Sequence, residues 1–79
     1  MQTRITPAQC RAARALLDWS IKMAANQAGI SMNTIGHFER GNGMMTDGNK
    51  RHLVAALTAA GIVFIPNGVI LSPEPNQPD

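Results

Sequence analysis

The chain has 79 residues, a formal net charge of +2 and a hydrophobic content of 44%, which fit one small domain near the lower size limit for folding alone. Because chains of this size often gain stability by self-association, dimerisation is already a hypothesis. A single cysteine excludes an internal disulfide framework and a zinc cluster. No secretory leader pattern and no run near the roughly 18 apolar residues of a membrane span occurs, so we expect a cytoplasmic protein that makes no membrane contact.

Charge is distributed unevenly along the chain. Over residues 1–71, seven lysines and arginines oppose three acidic residues, which gives a net charge of +4, and the two remaining acidic residues lie in the terminal segment SPEPNQPD. A mildly basic body suits a polyanionic partner, although ordinary solubility charge explains the excess equally well. Three prolines in eight residues predict that the segment 72–79 is a disordered tail.

The first predicted helix lies in ITPAQCRAARALLDW and has three start signals that agree. Thr6 is a favourable N-cap, Pro7 suits the first helical position, and Gln9 stands three residues after Thr6 as in a capping box. The spacing of the apolar residues predicts which of them face the core, namely Ala12, Ala15, Leu16 and Trp19.

Two short helices follow, separated by a tight turn. Ser20 caps the second helix and Gly29 ends it in a left-handed conformation, and Ser31 then caps the third helix. In the third helix, Ile35 and Phe38 lie three residues apart and therefore share one face. The apolar stripe of the second helix consists of Ile21, Ala24, Ala25 and Ala28.

A fourth helix is predicted in TDGNKRHLVAALTAAG, with Thr46 or Asp47 as its cap and Gly61 at its end. The residues expected to face the core from this helix are Leu53, Ala56, Leu57 and Ala60. With the three preceding helices, it predicts a mostly α domain.

The hydrophobic pattern then changes period. In IVFIPNGVIL, two apolar and largely β-branched runs flank Asn67-Gly68, the strongest short-range signal of a β-hairpin. Because residues 62–65 are all apolar, neither face of the first strand suits water. One face can cover the helices and the other is expected to meet a second chain, unless the strand lies flat against the bundle. The predicted dimer interface consists of Ile62, Phe64, Val69 and Leu71.

The central segment WSIKMAANQAGISMNTIGHFERG resembles the core of the lambda-repressor-like, or XRE-type, family of helix-turn-helix DNA-binding domains. The resemblance runs from about residue 5 to residue 65, and the positions that fit are Ala25, Gly29, Ile30, Ser31, Ile35, Phe38, Glu39 and Gly41. The expected fold is a four-helix helix-turn-helix domain (1–61) followed by a short C-terminal β-hairpin (62–71) that serves for dimerisation, with the tail at 72–79.

The resemblance implies which residues contact DNA. In this family the first helix of the pair lies across the phosphate backbone and the second enters the major groove. Asn33 can form a bidentate pair with adenine, His37 can donate to a purine or to a phosphate, and Met32 can contact a thymine methyl group. Gly36 lets the backbone approach the groove wall. The alternative for each is a solvated position of no consequence. The implied base-reading residues are Met32, Asn33, Gly36 and His37.

Phosphate contacts are expected from polar and basic residues around the reading helix and on the fourth helix: Ser20, Lys22, Ser31, Thr34, Arg40, Asn42, Lys50 and Arg51. A solvated helix face explains Lys50 and Arg51 equally well. The resemblance also pairs Arg14 with Glu39 as a structural ion pair. A physical argument agrees, because a glutamate within an apolar stripe needs a cationic partner.

The sequence departs from the family pattern at Ile21, where the family usually has a glutamine that clamps a phosphate. Ile21, Met23, Met44 and Met45, together with the hairpin, form an apolar set that could instead bind a regulatory protein partner. The sequence therefore predicts a DNA-binding transcriptional regulator that acts as a homodimer on a two-fold symmetric operator in double-stranded DNA. The alternative is an antitoxin or anti-activator that retains the fold.

Catalysis is not expected. The chain has no glycine-rich phosphate loop and no histidine–carboxylate–nucleophile set that the helices would bring together. His37 and His52 fall on different predicted helices, and with Cys10 they make a poor metal site. We therefore expect no metal, no cofactor and no small-molecule ligand.

Overall fold

A computed structural model describes residues 4–72, which form four helices followed by a two-stranded antiparallel hairpin, in the predicted order. The helices are α1 (Pro7–Leu17), α2 (Ile21–Ala28), α3 (Met32–Glu39) and α4 (Asp47–Ala59), and the strands are β1 (Ile62–Ile65) and β2 (Gly68–Leu71). Apart from Ser72, the predicted tail lies outside the described residues.

Each helix begins at a side-chain hydroxyl cap, as the sequence predicts. The cap hydroxyl accepts a hydrogen bond from the backbone N–H three residues further on, and the caps are Thr6, Ser20, Ser31 and Thr46. The capping box of α1 is complete, because the Thr6 N–H also donates to Gln9 Oε1 at 3.0 Å. Gly29 ends α2 with φ 72°. Asp18 ends α1 with φ 59°, which no sequence signal predicted.

The buried face of α1 differs from the prediction. Ala12, Ala15 and Leu16 are exposed, whereas Cys10 and Ala13 are fully buried; Trp19 does pack partly buried against the core. The prediction failed because the alanines that dominate this helix bury little area on any face and so carry a weak signal. The orientation follows instead from polar side chains of α1 that reach specific partners on other elements.

The packing of α2, α3 and α4 agrees more closely with the sequence. The small side chains of Ala24, Ala25 and Ala28 are buried and allow close approach to α3 and α4. Ile35 and Phe38 fill the core from α3, and Leu53 and Leu57 from α4. In α4 the other predicted core residues, Ala56 and Ala60, are only half-buried, and Val54 is buried in their place.

The hairpin has its turn one residue earlier than Asn67-Gly68. Ile65 pairs with Gly68, so the two turn residues are Pro66 and Asn67, and Gly68 is the first residue of β2. The proline ring holds its own φ negative, which excludes a turn with two positive φ angles. Asn67 alone takes a positive φ, at 63°.

The predicted dimer residues of the hairpin face the helices and not solvent. Ile62 is buried, and the other three, Phe64, Val69 and Leu71, are partly buried against the same core. The outward face carries Val63, Ile65 and Ile70, which are 49%, 39% and 49% exposed. An uninterrupted apolar run cannot indicate which strand face points inward, and the packing of β2 against α1 decides it.

Gln9 fixes the hairpin to α1. Its side chain is buried, and Nε2 donates to the carbonyl oxygens of Ile65 at 2.9 Å and Gly68 at 3.1 Å, on either side of the turn. The same amide therefore caps α1 through Oε1 and holds the turn through Nε2. The capping signal revealed only the first of these two functions.

Candidate nucleic-acid interface

The turn between α2 and α3 holds the two short helices in a fixed relation. The backbone N–H groups of Gly29 and Ile30 both donate to the Ala25 carbonyl, at 2.8 Å and 3.1 Å, which closes the end of α2. The Ile30 side chain packs against the core, and Ser31 starts α3 immediately afterwards. The closed turn and the Ser31 cap therefore fix the position of α3 relative to α2, and with it the exposed face of α3.

A buried polar network connects α1 to the end of α3. Arg14 donates to both carboxylate oxygens of Glu39, from Nε at 2.6 Å and from Nη2 at 2.7 Å, as the predicted ion pair requires. Its third contact, from Nη1, reaches the Trp19 carbonyl at 2.9 Å in the linker before α2. Cys10 Sγ donates to Glu39 Oε2 at 3.0 Å, and Arg11 Nη1 donates to the Glu39 carbonyl.

The network shifts the pKa values of its members. Burial raises the pKa of Glu39, but the hydrogen bonds from Arg14 and Cys10 and the charges of Arg14 and Arg11 outweigh it, so the pKa lies below its ordinary value. The hydrogen bond to Glu39 raises the pKa of Arg14. Burial, reinforced by Glu39, raises the pKa of the Cys10 thiol. Glu39 is therefore a carboxylate and Cys10 an unreactive thiol near neutral pH.

The solvent face of α3 contains three of the four predicted base-reading residues. Met32 is 50% exposed, and Asn33 and His37 are also exposed. Gly36 is different: it is buried, and a Cβ placed on it would lie 3.3 Å from Arg40 Nη1. In the free chain the Arg40 side chain therefore covers Gly36, whereas the sequence placed this glycine on the outward face.

The Arg40 guanidinium lies beside His37. Arg40 Nη2 lies 3.4 Å from His37 Nδ1. A guanidinium has only donors, so in this contact Nδ1 accepts and the ring proton of a neutral His37 is on Nε2. The Nε2–H group is then the donor that His37 presents. The sequence carried a signal of this arrangement, since His37 and Arg40 are three positions apart and residues at that spacing on a helix are neighbours.

The predicted phosphate-contacting residues are mostly exposed. Ser20, Lys22, Ser31, Arg40, Asn42 and Arg51 are exposed, and Thr34 and Lys50 are half-buried. Three of the hydroxyls have internal partners. The Ser20 hydroxyl caps α2, and the Ser31 hydroxyl both caps α3 and donates to Thr34 Oγ1 at 2.9 Å. The N-terminal amides of both helices lie beside these caps.

The charge outside the buried ion pair is positive. Among residues 4–72, once Arg14 and Glu39 are set aside, the remaining basic residues are Arg4, Arg11, Lys22, Arg40, Lys50 and Arg51, and only Asp18 and Asp47 oppose them. Most of this charge is on exposed side chains. The surface of the described domain therefore carries a net excess of cations.

The apolar set suggested for a protein partner is smaller than predicted. Ile21 packs against the core, because it continues the stripe of Ala24, Ala25 and Ala28 on α2, and Met45 is buried. Met23 and Met44 are exposed. Ile21 is thus a packing residue in this structure.

Within residues 4–72, no three histidine, cysteine, aspartate or glutamate side chains are placed to hold a metal ion. No helix in this part of the chain is long and apolar enough to cross a membrane.

The geometry defines a small helical domain with two short consecutive helices, the second of which presents a polar face. No family model and no curated protein matches the chain.

Proposed function

We propose that this protein is a sequence-specific double-stranded DNA-binding transcriptional regulator of the lambda-repressor-like type, with α3 in the major groove. The observation that carries the proposal is the exposed face of α3, where Asn33, His37 and Arg40 present hydrogen-bonding groups on a helix braced from behind by the Arg14–Glu39 pair. A rigid short helix with a polar outer face is what direct readout of base edges requires.

The chemistry of this face suits the edges of base pairs. The Asn33 amide can donate to adenine N7 while accepting from N6, and the His37 Nε2–H can donate to a purine acceptor. Met32 offers an apolar surface to a thymine methyl group. These groups discriminate between bases, and we assign no catalytic role to them.

The surrounding residues suit the phosphate backbone. Lys22, Asn42 and Arg51 are exposed. Ser20 and Ser31 are the exposed N-caps of α2 and α3, and the N-terminus of a helix favours an anion such as phosphate. Each cation that neutralises a phosphate contributes about −0.9 to the slope of log K against log salt. The excess of cations over acids supports this assignment.

We further propose that the protein acts as a homodimer on a two-fold symmetric operator. The outward hairpin face of Val63, Ile65 and Ile70 is apolar and lies in a two-stranded sheet. Burying it against a second copy would remove this apolar surface from water. Two copies of α3 would then read half-sites about 34 Å apart.

Selection from duplex DNA tests the function. The probe is a pool of duplexes with a random core of about 24 base pairs, long enough for two half-sites one helical turn apart. We expect the wild-type chain to enrich one motif with two-fold symmetry. The variant N33A should lose discrimination at one adenine per half-site, whereas T58A, which removes an exposed side chain of α4, should enrich the wild-type motif.

Two results would overturn the proposal. One is an enriched pool that is no different from the input. The other is binding to all duplexes with equal affinity and with a purely electrostatic salt slope. An antitoxin or anti-activator, the alternative that the sequence left open, would give the first result and would instead co-purify with a protein partner in a fixed ratio.

A further inference from the structure

Arg40 lies near the middle of the solvent face of α3. At about 100° per residue, Met32, Gly36, Arg40, Asn33 and His37 occupy one arc of about 140°, in that order, with Arg40 near its centre. Arg40 is the C-cap of α3 and keeps a right-handed helical conformation, with φ −85° and ψ −3°, so the periodicity still applies to it.

The guanidinium does not extend away from the end of the helix. It lies back over the preceding turn, with Nη1 above Gly36 and Nη2 beside His37 Nδ1. Any side chain at position 36 would compete for this space, since even a Cβ would be only 3.3 Å from Nη1. Gly36 thus makes room for the guanidinium on the face itself.

We propose that Gly36 and Arg40 act as one unit, in which the missing side chain at Gly36 lets the Arg40 guanidinium lie across the reading face and bind a guanine. This inference rests on the proposed function, because it assigns a base to a residue of the same surface. Arg40 thereby becomes a specificity-determining residue and not a phosphate contact at the edge of the helix.

Guanine is the base that matches this geometry. In the major groove it presents two adjacent acceptors, O6 and N7, and a guanidinium offers paired donors with no acceptor. The contact with His37 Nδ1 restrains the guanidinium plane before DNA arrives, and a restrained side chain loses less freedom on binding. Phosphates, in contrast, line the edges of the groove, so side chains at the two ends of the arc of about 140° on α3 are better placed to contact them than Arg40 near its centre.

The experiment measures base preference in the duplex that the wild-type chain enriches from the random pool. Each position of a half-site is changed in turn, and the affinity of wild type, R40A, G36V and the double variant G36V/R40A is measured for every change. Arg40 is exposed and valine is no worse than glycine in a helix, so both single variants should fold; thermal melting checks this.

For the wild-type chain we expect one guanine whose replacement weakens binding roughly 5- to 150-fold. R40A and G36V should both lose that preference while keeping the preference for adenine assigned to Asn33. G36V/R40A should lose no more of the guanine preference than R40A alone, because the two residues act together. The control R51A should weaken binding to all duplexes by the same factor.

Two patterns would overturn the inference while leaving the proposed function intact. In one, R40A weakens binding to every duplex equally and reduces the salt slope by about 0.9 per subunit, as loss of a phosphate contact would. In the other, R40A or G36V retains the guanine preference. Failure of the wild-type chain to enrich any motif would instead reject the function and the inference together.

Discussion

Replacing Arg14 with methionine tests whether the network behind α3 holds the fold together. The Glu39 side chain is 5% exposed, and three hydrogen bonds reach its carboxylate, two from Arg14 and one from Cys10. R14M leaves a buried carboxylate with only the thiol, and it also removes the donor to the Trp19 carbonyl. Breaking a buried pair in this way costs about 3–5 kcal/mol.

That loss is large for a domain of this size. At roughly 0.05–0.15 kcal/mol per residue, the free energy of unfolding of the chain should be about 4–12 kcal/mol. Urea denaturation followed by far-UV circular dichroism measures the difference, and an unchanged m-value checks that the unfolding transition is comparable. Removing both charges in R14M/E39M should restore part of the loss, because no unpaired carboxylate then remains buried.

The pH dependence of the free energy of unfolding gives the sharper test, because the pKa of Glu39 should be shifted in opposite directions in the wild type and in R14M. In the wild type the pKa of Glu39 is lowered in the folded state. The contribution of Glu39 to the free energy of unfolding is therefore fully present above its pKa in the unfolded chain, and it is lost as pH falls through its pKa in the folded chain. In R14M, burial without Arg14 should raise that pKa above its ordinary value. The folded state then binds the proton more readily, and the deficit of R14M relative to wild type should shrink from pH 7 towards about pH 5.

The matched control is R11M. Arg11 is exposed, it donates to the Glu39 carbonyl and not to the carboxylate, and its charge is the weakest of the influences that lower the pKa of Glu39. Its loss should therefore cost less than about 1.5 kcal/mol and change the pH dependence far less than the loss of Arg14. If R14M destabilises the protein by less than 1 kcal/mol, or if its deficit stays constant between pH 7 and 5, the buried-pair reasoning is refuted.

Three further outcomes are expected. Q9A should lower the free energy of unfolding by about 2–3 kcal/mol in urea titrations, because one amide caps α1 and holds both carbonyls beside the hairpin turn; a loss no larger than that of an ordinary exposed cap would contradict this. N67A should cost about 1 kcal/mol and N67G almost nothing, since only the first strains the positive φ; equal melting temperatures would count against it. I70K should shift the protein towards monomer in sedimentation velocity at high micromolar concentration, with K50E as a charge control; a wild-type monomer with and without DNA would reject the hairpin dimer.

Local signals predicted the element order well, because caps and breakers act within a few residues. The hydroxyl at the start of every helix and the left-handed Gly29 each satisfy their own turn of backbone, and distant packing does not alter them. The Arg14–Glu39 pair was also predicted: the family resemblance named Arg14 as the partner, and a charge in an apolar stripe requires a partner of opposite sign.

The features that could not be predicted from the sequence are those that depend on packing between helices and strands. The buried face of α1 is set by Gln9 and Cys10, whose partners lie 29 or more positions away in the chain. The inward face of the hairpin is likewise decided by α1 and not by the strands. Arg40 was predicted to contact phosphate on the basis of its residue type, which carries no information on the placement of its guanidinium over Gly36.

The most direct test of the proposed function is to observe which residues meet DNA. Backbone amide chemical shifts of the ¹⁵N-labelled chain are recorded as the enriched duplex is added, and again with a duplex of scrambled sequence. We expect the largest changes across Met32–Glu39 and at Arg40, and smaller ones at Lys50 and Arg51, with the changes in α3 depending on sequence. Changes confined to the hairpin, or identical for both duplexes, would contradict the proposal that α3 reads DNA.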